Sequence, residues 1–176
     1  DEVRQARFLL KEAAAELERR LVPYRADVPM GVMVETPAAA LAVDTFVKDV
    51  SFLSIGTNDL VQYTLAVDRG NASLATRFTP LHPAVLRLIA RTLDVGQSAG
   101  LSVSVCGEMA SQPLMAYALL GLGVRELSVS AIGLSVVKRI VRGVSTVHAE
   151  QVARQALEAE SARVAADILT KGLASE

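Results

Sequence analysis

The 176-residue sequence is poor in aromatic side chains and almost balanced in charge. Aromatic residues make up 4% of the chain and tryptophan is absent, so few rings are available to stack on nucleic-acid bases. The net charge is -1, and lysine and arginine are scattered rather than gathered into one stripe. Because nucleic-acid surfaces concentrate positive charge, we expect no nucleic-acid partner.

Cysteine is scarce, and long apolar segments are missing. The single cysteine, Cys106, cannot form a disulfide within the chain, which agrees with a reducing compartment. No apolar run reaches the roughly 18 residues that span a bilayer, and the first residues do not follow a signal-peptide pattern. We therefore expect a cytoplasmic location and no membrane partner.

The remaining composition is that of a globular domain. Hydrophobic residues make up 51% of the chain, enough for one sizeable core, and no low-complexity linker divides it. The chain opens at Asp1, directly in a helical pattern and without a start methionine, which suggests a piece of a longer protein. Residues 1–176 are predicted to form a single partial domain.

Strand and helix patterns alternate along the chain. Short continuous apolar runs predict strands of a parallel sheet that is covered on both faces. Amphipathic spacing, cap residues and glycine stops predict the helices. The predicted strands are 30–34, 52–55, 101–105 and 126–130, and the predicted helices are 1–20, 37–47, 82–98, 113–120, 134–142 and 148–172.

This alternation predicts an α/β fold, and four strand and helix units fit half of a closed (β/α)8 TIM barrel. A Rossmann sheet is disfavoured because no G-x-G-x-x-G follows a first strand, and no G-x-x-x-x-G-K-[ST] supports a P-loop. Half a barrel leaves two exposed parallel edges that can pair with another chain. We therefore expect a homodimer or higher oligomer, or a marginally stable piece.

Polar side chains follow three of the predicted strands. Glu35 and Asp59 stand at the ends of neighbouring strands, and in a barrel both carboxylates would reach the same rim. Paired carboxylates supply the hard oxygen ligands that Mg²⁺ prefers. The alternative is structural: Glu35 can stabilise the start of a helix and Asp59 can cap a helix.

Asn58 and Arg69 are candidate anion ligands. Gly56 allows a turn after the strand, and Asn58 follows it, where its amide could donate to an anion or simply form a turn. Arg69 lies in a loop, where its planar fork could bind phosphate or carboxylate. The alternative for Arg69 is a surface ion pair with Asp68 or another acid.

Cys106 follows an apolar strand and precedes Gly107 and Glu108, a position where a ligand can approach closely. A free cysteine is also often a small buried hydrophobic residue, so both interpretations stay open. His82 and His148 each stand at a predicted helix start and are expected to act as helix caps, and neither belongs to a triad pattern. Neither histidine is assigned a role.

Five sequence runs resemble the phosphoenolpyruvate-binding barrel of the phosphoenolpyruvate-utilising enzymes, over about residues 1–145. They are GVMVETP at 31–37, SIGTNDL at 54–60, QYT at 62–64, AVDRGN at 66–71 and CGE at 106–108. AVDRGN and the CGEMA run look most like enzyme I of the bacterial sugar phosphotransferase system. A phosphoenolpyruvate synthase or pyruvate phosphate dikinase is the alternative within the family.

The resemblance implies the C-terminal half of a TIM barrel and a set of roles. Glu35 and Asp59 would hold Mg²⁺, while Asn58, Asp59 and Arg69 would bind phosphoenolpyruvate. Cys106 would act as the general acid or base at the third carbon of pyruvate. The parent enzyme would transfer phosphate to its own histidine and then to a histidine phosphocarrier protein.

Parts of that machinery are not found in the sequence. The resemblance places the phosphorylated histidine in an upstream domain and further phosphate-binding arginines in the first half of the barrel, and His82 and His148 do not match the phosphohistidine motif. We therefore expect the isolated chain to lack phosphotransfer activity. A self-associating half-barrel without activity is the alternative of a different class.

Overall fold

A computed structural model describes residues 1–176, apart from the side chain of Ala75. Its centre is a four-stranded parallel sheet in which the strands are neighbours in chain order. This α/β architecture confirms the predicted half of a (β/α)8 barrel. The strands are β1 (Gly31–Val34), β2 (Phe52–Gly56), β3 (Ser102–Cys106) and β4 (Glu126–Leu127).

Helices precede, connect and follow the strands. Thr36 caps one of them through its hydroxyl, which accepts from the Ala39 amide at 3.2 Å, and His82 Nδ1 accepts from the Ala84 amide at 3.1 Å, as their positions before proline predict. The helices are α1 (Glu2–Arg19), α2 (Pro37–Leu41), α3 (Thr57–Leu65), α4 (Pro83–Ser98), α5 (Pro113–Gly121), α6 (Leu134–Gly143), α7 (Thr146–Leu157) and α8 (Ala162–Ala174). Short 3₁₀ turns occupy Val43–Thr45, Val47–Asp49, Ala72–Arg77 and Glu108–Ser111.

The two faces of the sheet differ because side chains alternate along each strand. One face is buried under the helices and forms the core, through Val34, Leu53, Ile55, Val103 and Val105. The other face is more open: Met33 and Phe52 are exposed, while Ser54, Ser104 and Cys106 are half-buried. The predicted continuous burial of the strands therefore applies to one face only.

Three predicted elements are shorter or divided. The helix predicted over 37–47 ends at Leu41, and the chain continues in tight turns where the Thr45 hydroxyl donates to the Ala42 carbonyl at 2.7 Å. The strand predicted over 126–130 ends at Leu127, and Ser130 instead accepts from the Gly133 amide. Side-chain hydrogen bonds to the local backbone compete with the regular ladders at both places.

The helix predicted over 148–172 is two helices. Ser161 caps α8 by accepting from the Val164 amide at 3.3 Å, and Ser145 caps α7 by accepting from the His148 amide at 3.4 Å. The expected capping role of His148 is therefore wrong, because that residue lies inside α7. The break lets α7 and α8 pack against each other and against α5.

Helix α1 packs loosely on the rest of the chain. None of its residues is buried, and Phe8, Leu9 and Leu10 are exposed. It is tied to the chain by an ion pair between Arg4 and Asp49, with 3.0 Å between Nε and Oδ2. Among the described residues, no helix combines the length and the apolar character that crossing a membrane requires.

Candidate active site

The carboxyl edge of the sheet gathers the predicted site residues. Glu35 directly follows β1, Asn58 and Asp59 lie in the first turn of α3, and Cys106 is the last residue of β3. The strand register pairs Gly56 with Cys106, so β2 and β3 end at the same level. The carboxyl edge of a parallel sheet is where barrels carry their sites.

Gly56 makes room for the Glu35 carboxylate. A Cβ built on Gly56 would lie 2.9 Å from Glu35 Oε2 and 3.0 Å from Glu35 Cβ, so a larger residue would displace this side chain. The chain passes from β2 into α3 directly after Gly56, but this turn does not itself require glycine, because the φ of -85° is open to any residue. Glycine is needed here for the close approach of a half-buried carboxylate.

Asp59 is paired with Arg69 across the loop that follows α3. Arg69 Nη2 lies 3.7 Å from Asp59 Oδ1, and the Arg69 amide donates to Gln62 Oε1 at 3.2 Å. Asp68 instead accepts from the Gly70 amide, so the arginine reaches the site acid rather than its neighbour in sequence. The N-cap residue of α3 is Gly56, and Asp59 is the acidic residue of the first turn, where its charge also suits the helix dipole.

Asn58 joins α3 to the loop after Cys106. Its Oδ1 accepts from the Glu108 amide at 3.2 Å. Since the amide oxygen is used in this way, the Nδ2 group is the part of the side chain that can donate to an anion. Asn58 therefore does more than form a turn: it fixes one loop and points a donor group away from that bond.

The Cys106 thiol has polar partners. Its Sγ lies 3.6 Å from the Ser54 hydroxyl, which donates to it, and 3.5 Å from the Ile55 carbonyl oxygen, to which it donates. The Cys106 carbonyl accepts from the Thr57 hydroxyl at 2.9 Å. The thiol is half-buried, so it does not behave as a simple core hydrophobic residue.

A cavity of about 210 Å³ adjoins these residues. Glu35, Arg69 and Cys106 are not part of its lining, so it lies beside the carboxylates rather than over them. Polar and apolar side chains both contribute to its wall, which consists of Thr57, Asn58, Val61, Phe78, Pro80, Glu108, Met109, Gln112 and Met115. The cavity shares Asn58 with the candidate site.

Comparison with known proteins identifies the family of this chain. A family described as PEP-utilising enzyme, PEP-binding domain, matches residues 1–146. The chain belongs to the PEP-utilising enzymes. The match covers every residue that we place at the carboxyl edge of the PEP-binding domain.

Three similar proteins carry the same name. A phosphoenolpyruvate-protein phosphotransferase from Cupriavidus necator is 44% identical over 158 residues, which are 90% of this chain and 27% of that protein. Another, from Bacillus sp. strain S, is 41% identical over 176 residues, 100% of this chain and 28% of its own length. A third, from Haemophilus influenzae, is 40% identical over 162 residues, 92% of this chain and 28% of that protein. The PEP-binding domain described here spans less than a third of these relatives.

The donor set of the PEP-binding domain is compatible with magnesium. Among the described residues, no group of three or more histidine, cysteine, aspartate or glutamate side chains could hold a metal ion. Mg²⁺, however, is commonly held by one or two carboxylates together with substrate phosphates and water. Glu35 and Asp59 fit that smaller requirement, since both side chains are half-buried and carry hard oxygen donors.

Two polar residues of the site were missed by sequence reasoning. The Ser54 hydroxyl donates a hydrogen bond to the Cys106 sulfur, and the Thr57 hydroxyl donates one to the Cys106 carbonyl oxygen. Thr57 is fully buried, at 0% exposure, although it is polar. Ser54 could have been recognised from the sequence, because it precedes Gly56 by two residues and the two positions therefore lie on the same face of β2.

Proposed function

We propose that this chain forms part of the phosphoenolpyruvate site of a phosphoenolpyruvate-protein phosphotransferase. One observation carries the proposal: Glu35, the Asp59–Arg69 pair, Asn58 and Cys106 all lie at one edge of one parallel sheet. The names of its relatives support the same reaction over that of a synthase or dikinase.

Each side chain has a role suited to its chemistry. Glu35 and Asp59 would hold Mg²⁺, which when bound neutralises charge on the phosphate and carboxylate of the substrate. Arg69 offers its guanidinium to the phosphate and remains anchored near Asp59. Asn58 donates from Nδ2, because its oxygen is held by the Glu108 amide.

Cys106 completes the reaction by moving a proton. After the phosphoryl group has left, the enolate of pyruvate carries excess electron density at its third carbon. The S–H bond of Cys106 breaks, a C–H bond forms at that carbon, and the enolate oxygen becomes a ketone carbonyl. The sulfur keeps the electron pair as a thiolate, and water later restores its proton.

The acceptor of the phosphoryl group lies outside the residues described. We propose a histidine of the parent enzyme as first acceptor and a histidine phosphocarrier protein as the next, in the cytoplasm. His82 is engaged as the cap of α4, and the His148 ring lies 3.4 Å from the Ser175 hydroxyl, remote in sequence from the site loops. Transfer of radiolabelled phosphate from phosphoenolpyruvate to this chain alone would contradict the proposal.

Metal-dependent binding tests the site directly. Calorimetric titration of the chain with phosphoenolpyruvate is expected to give binding that requires Mg²⁺. Glu35→Gln and Asp59→Asn each remove a charged metal ligand and are expected to lower the affinity by about tenfold or more. Glu12→Gln makes the same chemical change on exposed α1 and should leave binding intact. Binding that ignores Mg²⁺, or equal effects of all three variants, would overturn the proposal.

A second property is proposed on separate grounds. We infer that the chain associates with a second copy of itself. β1 and β4 are the edge strands of the sheet, and Met33 and Phe52 are exposed on its more open face. Open parallel edges and apolar side chains on one surface favour pairing between chains.

A further inference from the structure

We propose that the cavity of about 210 Å³ beside the candidate active site binds a small aromatic amine, a ring that carries one short ammonium arm. Glu35, Asp59, Arg69 and Cys106 do not line this cavity, so its ligand is separate from phosphoenolpyruvate and from magnesium. The inference does not depend on the proposed function, because it uses only the shape and the charge of the cavity.

The described residues form this cavity without the open edges of the sheet. Its wall comes from α3, from residues 78–80 before α4, and from residues 108–115, which include the start of α5. These segments follow β2 and β3, the two central strands. Chain added at β1 or β4 would extend the sheet on either side of the cavity and is not needed to form it.

One part of the wall suits an aromatic ring. Val61, Phe78, Pro80, Met109 and Met115 supply apolar surface. Aromatic rings pack favourably against thioether sulfur and against the edge or face of another ring. Because an apolar cavity of about 150 Å³ holds benzene, a cavity of about 210 Å³ has space for a ring and a short polar arm.

The other part of the wall suits a positively charged donor. Among the described residues, neither the Glu108 carboxylate nor the Gln112 carboxamide has a hydrogen-bond or ion-pair partner, since Glu108 uses only its amide, which donates to Asn58 Oδ1 at 3.2 Å. No lysine, arginine or histidine lines the cavity. An ammonium group can therefore pair with the Glu108 carboxylate and donate to the Gln112 side-chain oxygen.

Helix dipoles oppose this preference for a cation but are weaker. Helices α3 and α5 both begin at the cavity, and a helix N-terminus carries about half a positive elementary charge. Asp59 in the first turn of α3 already offsets one of these partial charges. The full negative charge of Glu108 outweighs the other, so a cation is favoured over an anion.

Methionine methyl groups report on the cavity selectively. The chain has four methionines: Met109 and Met115 line the cavity, whereas Met30 and Met33 do not. Benzylamine is titrated into protein that is isotopically labelled at these methyl groups, and proton–carbon correlation spectra are recorded. The Met109 and Met115 signals should shift and saturate at roughly millimolar benzylamine, the range for a ligand of this size. The Met30 and Met33 signals should stay in place.

Matched probes separate the charge from the ring. Benzyl alcohol and benzoate keep the ring with a neutral and a negative group, and the affinity should fall in the order benzylamine, benzyl alcohol, benzoate. Glu108→Gln is expected to lower the affinity for benzylamine by about two- to fivefold, because the carboxylate is exposed, and to leave that for benzyl alcohol unchanged. Glu12→Gln makes the same change on exposed α1 and should alter neither.

Phe78→Ala removes the ring from the wall and is expected to weaken benzylamine and benzyl alcohol alike, by about three- to tenfold. Unchanged Met30 and Met33 signals in this variant show that the fold is retained. Absence of a saturable shift, equal shifts of all four methionines, binding of benzoate as tight as that of benzylamine, or equal effects of the two glutamine variants would overturn the inference. The titration contains no phosphoenolpyruvate or metal, so its outcome is distinct from the binding test with Glu35 and Asp59.

Discussion

Both the backbone conformation and the close neighbours of Gly107 require glycine at this position. Its φ is +106°, a conformation that side chains rarely adopt, and a Cβ built on it would lie 2.4 Å from Thr57 Oγ1. The same Cβ would lie 3.1 Å from Asn58 Oδ1, so a larger residue would strain the backbone and push the loop off α3. Gly107 thus holds the short distance between Cys106 and the first turn of α3.

Gly107→Ala is expected to lower the free energy of unfolding by about 2 to 5 kcal/mol, the sum of backbone strain and steric overlap. Gly100→Ala is the control, because Gly100 has a φ of +72° but no atom within 4 Å of its added Cβ. The free energy of unfolding of that variant should fall only by the cost of backbone strain, about 1 to 2 kcal/mol. Urea unfolding followed by circular dichroism measures both, and equal losses would contradict the steric part.

Tyr117 is fully buried in α5, and its hydroxyl has no hydrogen-bond partner among the described residues. Burial raises the pKa of Tyr117 above its ordinary value of 10.0, and the negative charge of Glu176 raises it further. Tyr117→Phe removes a polar group without leaving a partner unsatisfied. We expect the variant to be as stable as the parent at pH 8, or more stable by up to about 1 kcal/mol.

The pH dependence of stability follows from the direction of this shift. Between pH 10 and the higher pKa of folded Tyr117, the unfolded chain has released the proton and the folded chain has kept it. The contribution of Tyr117 to the free energy of unfolding is therefore fully present below pH 10 and is lost as the pH rises through this window. Tyr117→Phe should lack that part of the decline, whereas Tyr63→Phe, at an exposed tyrosine, should keep it. Parallel urea titrations at pH 8 and pH 10.5 compare the three proteins.

Sequence reasoning placed single residues well where chemistry coincides with a strand end. Glu35, Asn58, Asp59 and Cys106 could be proposed because a polar residue after an apolar run is visible in the sequence. Their partners could not: the contact between Cys106 and Ser54 depends on the register of β2 and β3. The hydrophobic pattern of one strand determines which face is buried but does not by itself identify which residues of the neighbouring strand lie opposite.

At the scale of whole elements, glycines set how closely α5, α7 and α8 pack. A Cβ on Gly121 of α5 would lie 2.2 Å from the Ala149 carbonyl oxygen in α7. A Cβ on Gly172 of α8 would lie 2.6 Å from Val152 Cγ1. The first neighbour is backbone and cannot move alone, whereas the second is a side chain that can be shortened.

Gly121→Ala is therefore expected to cost about 1 to 3 kcal/mol or more, with no repair by a single side-chain change. Gly172→Ala should cost a similar amount in the parent and much less in a Val152→Ala background. Gly143→Ala, with no atom within 4 Å of its added Cβ, serves as the reference. Thermal unfolding of the single and double variants gives the coupling free energy between Gly172 and Val152. Additive losses of stability at these two positions would contradict this packing.

The boundaries of elements were predictable where a cap or a stop was explicit. Helix α4 begins at Pro83, directly after the His82 cap, and ends before Gly100, as the sequence indicates. The division between α7 and α8 was missed because Glu158, Ala159 and Glu160 are all tolerated in helices. Only the packing of the two helices on α5, together with the Ser161 cap, makes the break favourable.

At the scale of the whole molecule, the fold class followed from the alternation of strands and helices, but the unequal faces of the sheet did not. A closed barrel buries both faces of its strands. In this chain the more open face of the sheet leaves Met33 and Phe52 exposed, and α1 has no buried residue. Exposed apolar side chains therefore lie on the more open face of the sheet.

This distribution predicts concentration-dependent association. Sedimentation velocity over a range of concentrations is expected to show a dimer or larger species that dissociates on dilution. Met33→Lys places a charge on the open face and should shift the equilibrium to monomer, because the cost of burying an unpaired charge opposes the contact. Ile132→Lys adds the same charge at a 92% exposed position outside the strands, in the turn before α6, and should leave association unchanged. A parent that stays monomeric at the highest concentration, or equal effects of both lysines, would mean that the open face is not the contact between copies.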